Sequence, residues 1–141
     1  MLMRRATAIG VALALGGCGL FGSRSPETFP PEVTGTVTYR ERFALPRDAE
    51  LRVTLYETSQ PGAEAKFIAE QIRPNPGQVP LKFRVSYPPS VITPQAGYSM
   101  VARIEIGGRL VFRNEQPVPV LTAGHPDRLE IQVTRVSDDP R

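Results

Sequence analysis

Tyr98-Ser-Met-Val-Ala-Arg-Ile-Glu-Ile106 is the longest stretch of this sequence in which apolar and polar side chains alternate. Successive side chains of a β-strand point to opposite faces, so this alternation is typical of a strand with one buried face. The stretch therefore predicts a β-strand that contributes every second side chain to the core: Tyr98, Met100, Ala102, Ile104 and Ile106.

Four further stretches alternate in the same way and are separated by turn-forming residues. Their predicted core sides are Val33, Gly35, Val37 and Tyr39; Leu51, Val53 and Leu55; Leu81, Phe83 and Val85; and Leu129, Ile131 and Val133. Turns rich in Pro and Gly fall at 45–48, 60–62, 74–77, 88–89, 107–108 and 124–126. We therefore predict an all-β protein with a single immunoglobulin-like β-sandwich of seven to eight strands over residues 32–137.

The hairpin at Gly107-Gly108 permits two registers. A two-residue loop pairs Ile106 with Arg109, whereas a three-residue loop pairs Ile106 with Leu110 and Ile104 with Phe112. A slip of one residue moves every side chain to the other face, and burial of each large apolar side chain is worth about 1.5–3 kcal/mol. We therefore expect the longer, bulged loop, with both Leu110 and Phe112 in the core.

Two segments fit the β-sandwich less well. Residues 63–73 (AEAKFIAEQIR) consist largely of good helix formers, and propensity alone favours a short helix. The alternative is an edge strand, in which Glu70 discourages pairing with another molecule. Pro117-Val-Pro-Val120 is expected to be an edge or irregular strand, because proline cannot donate to a strand ladder.

The amino terminus has the features of a bacterial lipoprotein signal. Basic residues within positions 1–5 precede an apolar run of ten residues at 6–15, which is too short to span a bilayer. Leu15-Gly-Gly-Cys18 then resembles a lipobox. We predict a signal peptide over residues 1–17, cleavage between Gly17 and Cys18, and lipidation of Cys18. The acyl chains would anchor the protein in a membrane.

Residues 18–31 form the predicted lipidated cysteine and a flexible tether, and residues 138–141 form a tail. Gly19 stands where enteric bacteria place an Asp in lipoproteins retained by the inner membrane. By analogy, the periplasmic face of the outer membrane is expected, although the sequence does not decide between the two membranes.

Composition argues against several functions. The chain has 141 residues and a net charge of +3, which falls to +1 once Arg4 and Arg5 leave with the signal. The basic residues are spread singly along the predicted strands, so we expect no binding to nucleic acid. With one Cys and one His in the chain, we predict no cofactor, no metal site and no disulfide within the chain.

Candidates for chemistry are correspondingly few. His125 lies between Gly124 and Pro126, which indicates an exposed turn rather than a catalytic position. Asp138-Asp139 is interpreted as a solvated tail. Arg40-Glu-Arg42 is interpreted as solvated, with a partner-binding patch as the alternative. Three tyrosines are interpreted as core or cross-strand residues: Tyr39, Tyr56 and Tyr98.

Several stretches from Val33 to Val136 resemble the YbaY/YscW-type lipoproteins. They are Gly35–Arg42, Leu45-Pro46 with Ala49, Val53–Leu55, Val79–Leu81 with Phe83, Tyr98 with Ala102–Ile104, Gly108–Leu110 with Phe112, and Pro119–Leu121. The resemblance implies a compact β-sandwich on an outer-membrane lipid anchor, and it favours a strand at residues 67–72. YscW-like members are pilotins, which bind a secretin subunit and guide its assembly.

The sequence thus predicts a non-enzymatic envelope lipoprotein that binds a protein. A YbaY-like lipoprotein with an undetermined envelope partner is the leading hypothesis. A pilotin that targets and assembles a secretin is the alternative. A small-ligand-binding β-sandwich is a further alternative, which a deep apolar cavity between the sheets would support. The sequence leaves open the partner, the binding surface and the oligomeric state.

Overall fold

The computed structural model describes residues 28–59 and 62–137. This part of the chain contains nine β-strands and one 3-10 turn at Pro89–Val91. The strands are β1 (Glu32–Thr38), β2 (Ala49–Glu57), β3 (Lys66–Pro74), β4 (Leu81–Ser86), β5 (Tyr98–Ile106), β6 (Arg109–Arg113), β7 (Val118–Val120), β8 (Arg128–Gln132) and β9 (Thr134–Arg135). No helix within these residues is long and apolar enough to cross a membrane.

The strands form two sheets. The first sheet, sheet A, has the order β4-β1-β8, in which β1 runs antiparallel to β4 and parallel to β8. The second, sheet B, has the order β3-β2-β5-β6-β9, and β7 pairs with β5 outside this path. The all-β sandwich is confirmed, and the strand beyond the expected seven or eight is accounted for by the two-residue β9.

The core is built from the predicted alternating positions. Seven apolar side chains alternate in β2 and the first half of β5, and all are essentially inaccessible: Ala49, Leu51, Val53, Leu55, Tyr98, Met100 and Ala102. Phe112 is fully buried and stacks on Tyr39 with 4.5 Å between ring centroids. Leu129 and Ile106, at strand ends, are only partly buried and pack against the edge of this core.

The structure corrects the expected hairpin at Gly107-Gly108. Ile106 pairs with Arg109, so the loop has two residues, and both glycines have positive φ, at 58° and 79°. The register then shifts, so that Glu105 faces Leu110 and Ile104 faces Phe112. Phe112 is therefore buried as expected, but Leu110 is exposed. A bulge within β6 buries the large aromatic ring while keeping the short turn that Gly-Gly favours.

Residues 66–74 form a strand, so the interpretation from helix propensity is wrong and the strand interpretation is confirmed. β3 pairs antiparallel with β2, and a register shift places Leu55 opposite Ala69 but Tyr56 opposite Phe67. Ile68 is the extra residue of this bulge, and it packs against the core. The bulge lets Ile68 reach apolar neighbours while Glu70 stays on the outer face beside Thr54.

The proline-containing segment forms β7, which pairs with β5 from Tyr98 to Met100. Among the described strands β7 has this one partner, and Pro119 lies opposite Ser99. The short edge strand that the sequence predicted is therefore confirmed.

Candidate functional site

The outer face of sheet A carries a depression of about 690 Å³. Its floor is the middle of β1, where the residues are small: Thr34, Gly35 and Thr36. Long basic side chains from the neighbouring strands surround this floor: Arg73, Lys82, Arg84 and Arg128. We call this depression, with its three floor residues and four cations, the basic basin.

Strand pairing explains why these cations meet. Arg84 of β4 and Arg128 of β8 both lie opposite Thr34, one on each side of β1. Lys82 lies opposite Thr36, two residues further along the same face. Adjacent strands are about 4.8 Å apart, so the two arginines project from backbones about 10 Å apart across the floor.

β3 of sheet B completes the basin on one side. The Arg73 guanidinium donates a hydrogen bond to the carbonyl of Lys82 at 2.9 Å. The backbone N–H of Arg84 donates to Oε1 of Gln71 at 2.8 Å. These contacts satisfy backbone groups on the edge of β4 that would otherwise be open to strand pairing with another chain. They also fix the Arg73 side chain at the rim.

Two carboxylates share the outward face of sheet A with the cations. Glu32 forms an ion pair with Arg84 at 3.3 Å, and both side chains are solvent-accessible, at 34% and 69%. Glu130 lies opposite Thr36 on β8. An exposed pair such as Glu32–Arg84 is worth little free energy. The basin therefore keeps an excess of positive charge that faces water.

Gly35 is the residue that lets β8 approach β1 so closely. A Cβ atom built on Gly35 would lie 1.8 Å from the carbonyl oxygen of Leu129 and 3.0 Å from the Phe83 ring. A distance of 1.8 Å is much shorter than any van der Waals contact of a Cβ atom. Because the Leu129 oxygen belongs to the backbone, it cannot move away by a change of side-chain rotamer. The floor of the basin thus requires glycine at this position.

The opposite side of the molecule has a different character. On the outer face of sheet B, the rings of Tyr56 and Phe67 meet edge to face at 6.4 Å, and Phe67 is 57% exposed. A shallow depression of about 300 Å³ lies beside them and includes Val101 and Pro117. This part of the outer face of sheet B combines two aromatic rings with the charged residues Glu64 and Arg103, whereas the outer face of sheet A is mainly basic.

The residues singled out in the sequence are not gathered into one site. Gly17, Cys18 and Asp138-Asp139 lie outside the described residues. Arg40-Glu-Arg42 is exposed after β1, as the solvated interpretation expects. His125 is exposed, and its backbone N–H donates to the carbonyl of Thr122 at 3.1 Å. Tyr39 and Tyr98 are core residues and Tyr56 is a cross-strand residue, so that interpretation is confirmed.

Sequence reasoning missed the basic basin. It found the basic residues spread singly, and the structure gathers four of them from three strands. The spacing of Lys82 and Arg84 indicates that both share one face of β4. Their meeting with Arg128 depends on the parallel pairing of β1 with β8, for which the local sequence has no signal.

Two other features bear on the function. Among residues 28–59 and 62–137, no three His, Cys, Asp or Glu side chains are grouped so that they could hold a metal ion. The two depressions described above both open to solvent. The enclosed apolar cavity that would favour a small-ligand-binding protein is not one of them.

Comparison with known proteins agrees with this architecture. Residues 30–133 match the family model of the type III secretion system lipoprotein chaperone YscW. The chain is 31% identical over an alignment of 140 residues to the uncharacterized lipoprotein YbaY of Escherichia coli K12, covering 87% of this chain and 74% of that protein. It also resembles the solved structure of an alternative pilotin from the type II secretion system of Vibrio cholerae. That similarity has a TM-score of 0.72 and 36% identity, over 76% of this chain and 97% of the pilotin.

The chain therefore belongs to the YscW family of lipoprotein chaperones, as the resemblance in its sequence implied. The lipoprotein and secretion-chaperone relatives imply a location in the bacterial cell envelope. The family is of the chaperone and pilotin kind, which is non-enzymatic in character.

Proposed function

We propose that this protein is a lipid-anchored, non-enzymatic envelope chaperone that acts by binding another protein. The observation that carries the proposal is the similarity to the pilotin, which extends over 97% of that chain at 36% identity. The β-sandwich described here thus corresponds to nearly the whole of a protein named for a role in secretion.

The anchor is the acylated Cys18. It is supported by the lipobox Leu15–Cys18, by the basic and apolar segments before it, and by the similarity to a lipoprotein. The tether of residues 19–31 would give the domain a reach of about 43 Å if fully extended. Gly19 supports sorting to the outer membrane, where the domain would face the periplasm.

A secretin subunit is the partner that this relationship favours, because one relative is a type II pilotin and the family description concerns type III secretion. The domain would hold a segment of the subunit against one of its surfaces while the anchor brings both to the outer membrane. Recognition of a peptide segment by a groove or sheet edge is a common mode for β-rich domains.

Deletion of the gene in the native bacterium tests the partner. We expect secretin subunits to fail to form multimers at the outer membrane, and a plasmid copy of the wild-type gene to restore them. Normal multimers in the deletion strain would refute the secretin version. Other envelope proteins that crosslink to the domain would then be identified in the wild type, and the deletion strain, which lacks the domain, would serve as the negative control.

Two substitutions test the anchor separately. Cys18→Ala should move the protein out of the membrane fraction, whereas Ser25→Ala in the tether should leave it there. Unchanged fractionation of Cys18→Ala would refute lipidation. Gly19→Asp should shift the protein from outer to inner membrane on a density gradient in an enteric host, and an unchanged distribution would argue against this sorting rule.

A further inference from the structure

We infer that the basic basin binds an acidic peptide segment of the protein partner. This inference rests on the proposed function, because it names the chemistry of the segment that the chaperone would hold. The surface around Tyr56 and Phe67 includes one acidic and one basic residue, Glu64 and Arg103, so it has no excess of one charge that would identify an occupant.

The charge of the basin is the first argument. Its four cations face two carboxylates, Glu32 and Glu130, on the outward positions of sheet A. Arg84 forms a solvent-exposed ion pair with Glu32. Neither Lys82 nor Arg128 takes part in the four ion pairs found among residues 28–59 and 62–137. Carboxylates from outside would therefore meet charges that are available.

The shape of the basin is the second argument. The floor lies below the surrounding long side chains because Thr34, Gly35 and Thr36 are small. A flat bilayer would touch the rim and leave the floor empty, whereas a peptide side chain can enter. Hydroxyl groups on Thr34 and Thr36 add hydrogen-bond donors for a carboxylate on the floor. A peptide thus fits better than a layer of anionic lipid headgroups.

The third argument is the rigidity of the rim. Arg73 is held by its hydrogen bond to the Lys82 carbonyl, and β4 is fixed by Gln71 on one side and by β1 on the other. Arginine presents a planar set of donors that suits carboxylates, and less freedom is lost on binding when the side chain is already placed.

The test uses the full-length mature lipoprotein in detergent and a fluorescent twelve-residue peptide that contains four Glu. A second peptide replaces each Glu with Gln. We expect saturable binding of the acidic peptide, at least tenfold weaker binding of the Gln peptide, and a marked loss of affinity as salt increases. Failure of the acidic peptide to bind would overturn the proposal.

Two triple variants separate the basin from general charge. Lys82→Gln, Arg84→Gln and Arg128→Gln together should weaken binding at least tenfold. The matched control is Arg40→Gln, Arg42→Gln and Arg47→Gln, which removes the same charge from exposed loop positions and should leave affinity within twofold. Equal weakening by both variants would overturn the proposal. Thermal unfolding of each variant checks that the sandwich is intact.

Vesicles containing anionic phospholipid provide the competing outcome. If the basin triple variant loses binding to vesicles but not to the acidic peptide, the basin is a membrane contact and the proposal is wrong. If secretin assembly is normal in the deletion strain but the acidic peptide still binds at the basin, the basin proposal stands and the secretin function fails. If the variant with Lys82→Gln, Arg84→Gln and Arg128→Gln supports full secretin assembly, the secretin function stands and the basin proposal fails.

Discussion

The hydroxyl of Thr54 donates a 2.8 Å hydrogen bond to the carboxylate of Glu70 across the β2–β3 pair. Thr54 is 3% exposed, and Arg52 donates to the other oxygen of the same carboxylate at 3.3 Å. A charged residue between Ile68 and Ile72 therefore has specific partners on the outer face of sheet B. The carboxylate that the sequence analysis expected to discourage pairing with another molecule also stabilises the contact between β3 and β2.

Glu70→Leu should lower the free energy of unfolding by about 1–3 kcal/mol, because it leaves the buried Thr54 hydroxyl without its acceptor. Urea denaturation measures the change. The double variant Thr54→Val with Glu70→Leu should recover much of the loss, since both polar groups are then removed together. Equal stability of Glu70→Leu and the wild type would show that the hydrogen bond contributes nothing.

Gly35→Ala should be severely destabilising, because its methyl group would lie 1.8 Å from the Leu129 carbonyl oxygen. Relief requires β8 to move away from β1, so we expect a loss above about 3 kcal/mol, at the diagnostic end of single substitutions. Gly97→Ala is the matched control, since its Cβ would lie 3.5 Å from Thr58 Oγ1 in ordinary contact. Similar urea midpoints for the two variants would contradict the packing argument.

Asn114→Ala should cost about 3 kcal/mol in urea denaturation. The Asn114 amide accepts from the Ala102 N–H at 2.9 Å and donates to the carbonyls of Met100 and Gln116 at 3.3 and 2.7 Å. The side chain is part of the strand ladder where β6 ends, and each buried group left without a partner costs about 1–3 kcal/mol. The exposed Gln116→Ala should be neutral, and a neutral Asn114→Ala would refute this role.

Stability should fall at alkaline pH. Burial raises the pKa of the Tyr87 phenol above the usual 10.0, and the negative charge of Asp127 raises it further. The neutral phenol is therefore favoured in the folded state. The stability that Tyr87 contributes through its neutral phenol is fully present below about pH 10. It is lost as the pH rises through the raised pKa of the folded state. Tyr87→Phe should reduce the loss in urea midpoint between about pH 9 and pH 11.

Tyr39 provides an independent check on this pH dependence. Burial raises the pKa of its phenol as well, and the charge of Glu41 adds to the effect. The single variant Tyr87→Phe should therefore leave a residual decrease in stability at high pH. An unchanged alkaline profile in Tyr87→Phe would show that Tyr87 titrates alike in the folded and unfolded chains.

Much of the fold was readable from alternation. Positions such as Met100 and Ile104 are buried because a strand with one buried face repeats every two residues. The bulges were not readable in the same way. Leu110 is exposed although it is large and apolar, because a two-residue turn and a later bulge together bury Phe112. At residues 66–74, pairing with β2 overrides the local preference for helix.

The candidate site was less predictable than the fold. Lys82 and Arg84 could be placed on the solvent side of β4, but the basin also needs Arg128, from a strand near the other end of the domain. Pairing between distant strands depends on the whole packing arrangement. The predicted lipidation of Cys18, in contrast, depends on a short local motif that is recognised in the unfolded chain.

The parallel pairing of β1 with β8 also bears on when the proposed binding site can form. The paired residues are 34–38 of β1 and 128–132 of β8. β1 is synthesised first, so it can pair with β8 only after almost the entire domain has been synthesised. Contacts between such distant positions form late and slow the folding of β-proteins. A chain interrupted before β8 would lack Arg128, one of the four cations of the basin. Binding of the proposed partner at the basin would then require a chain whose translation and folding are complete.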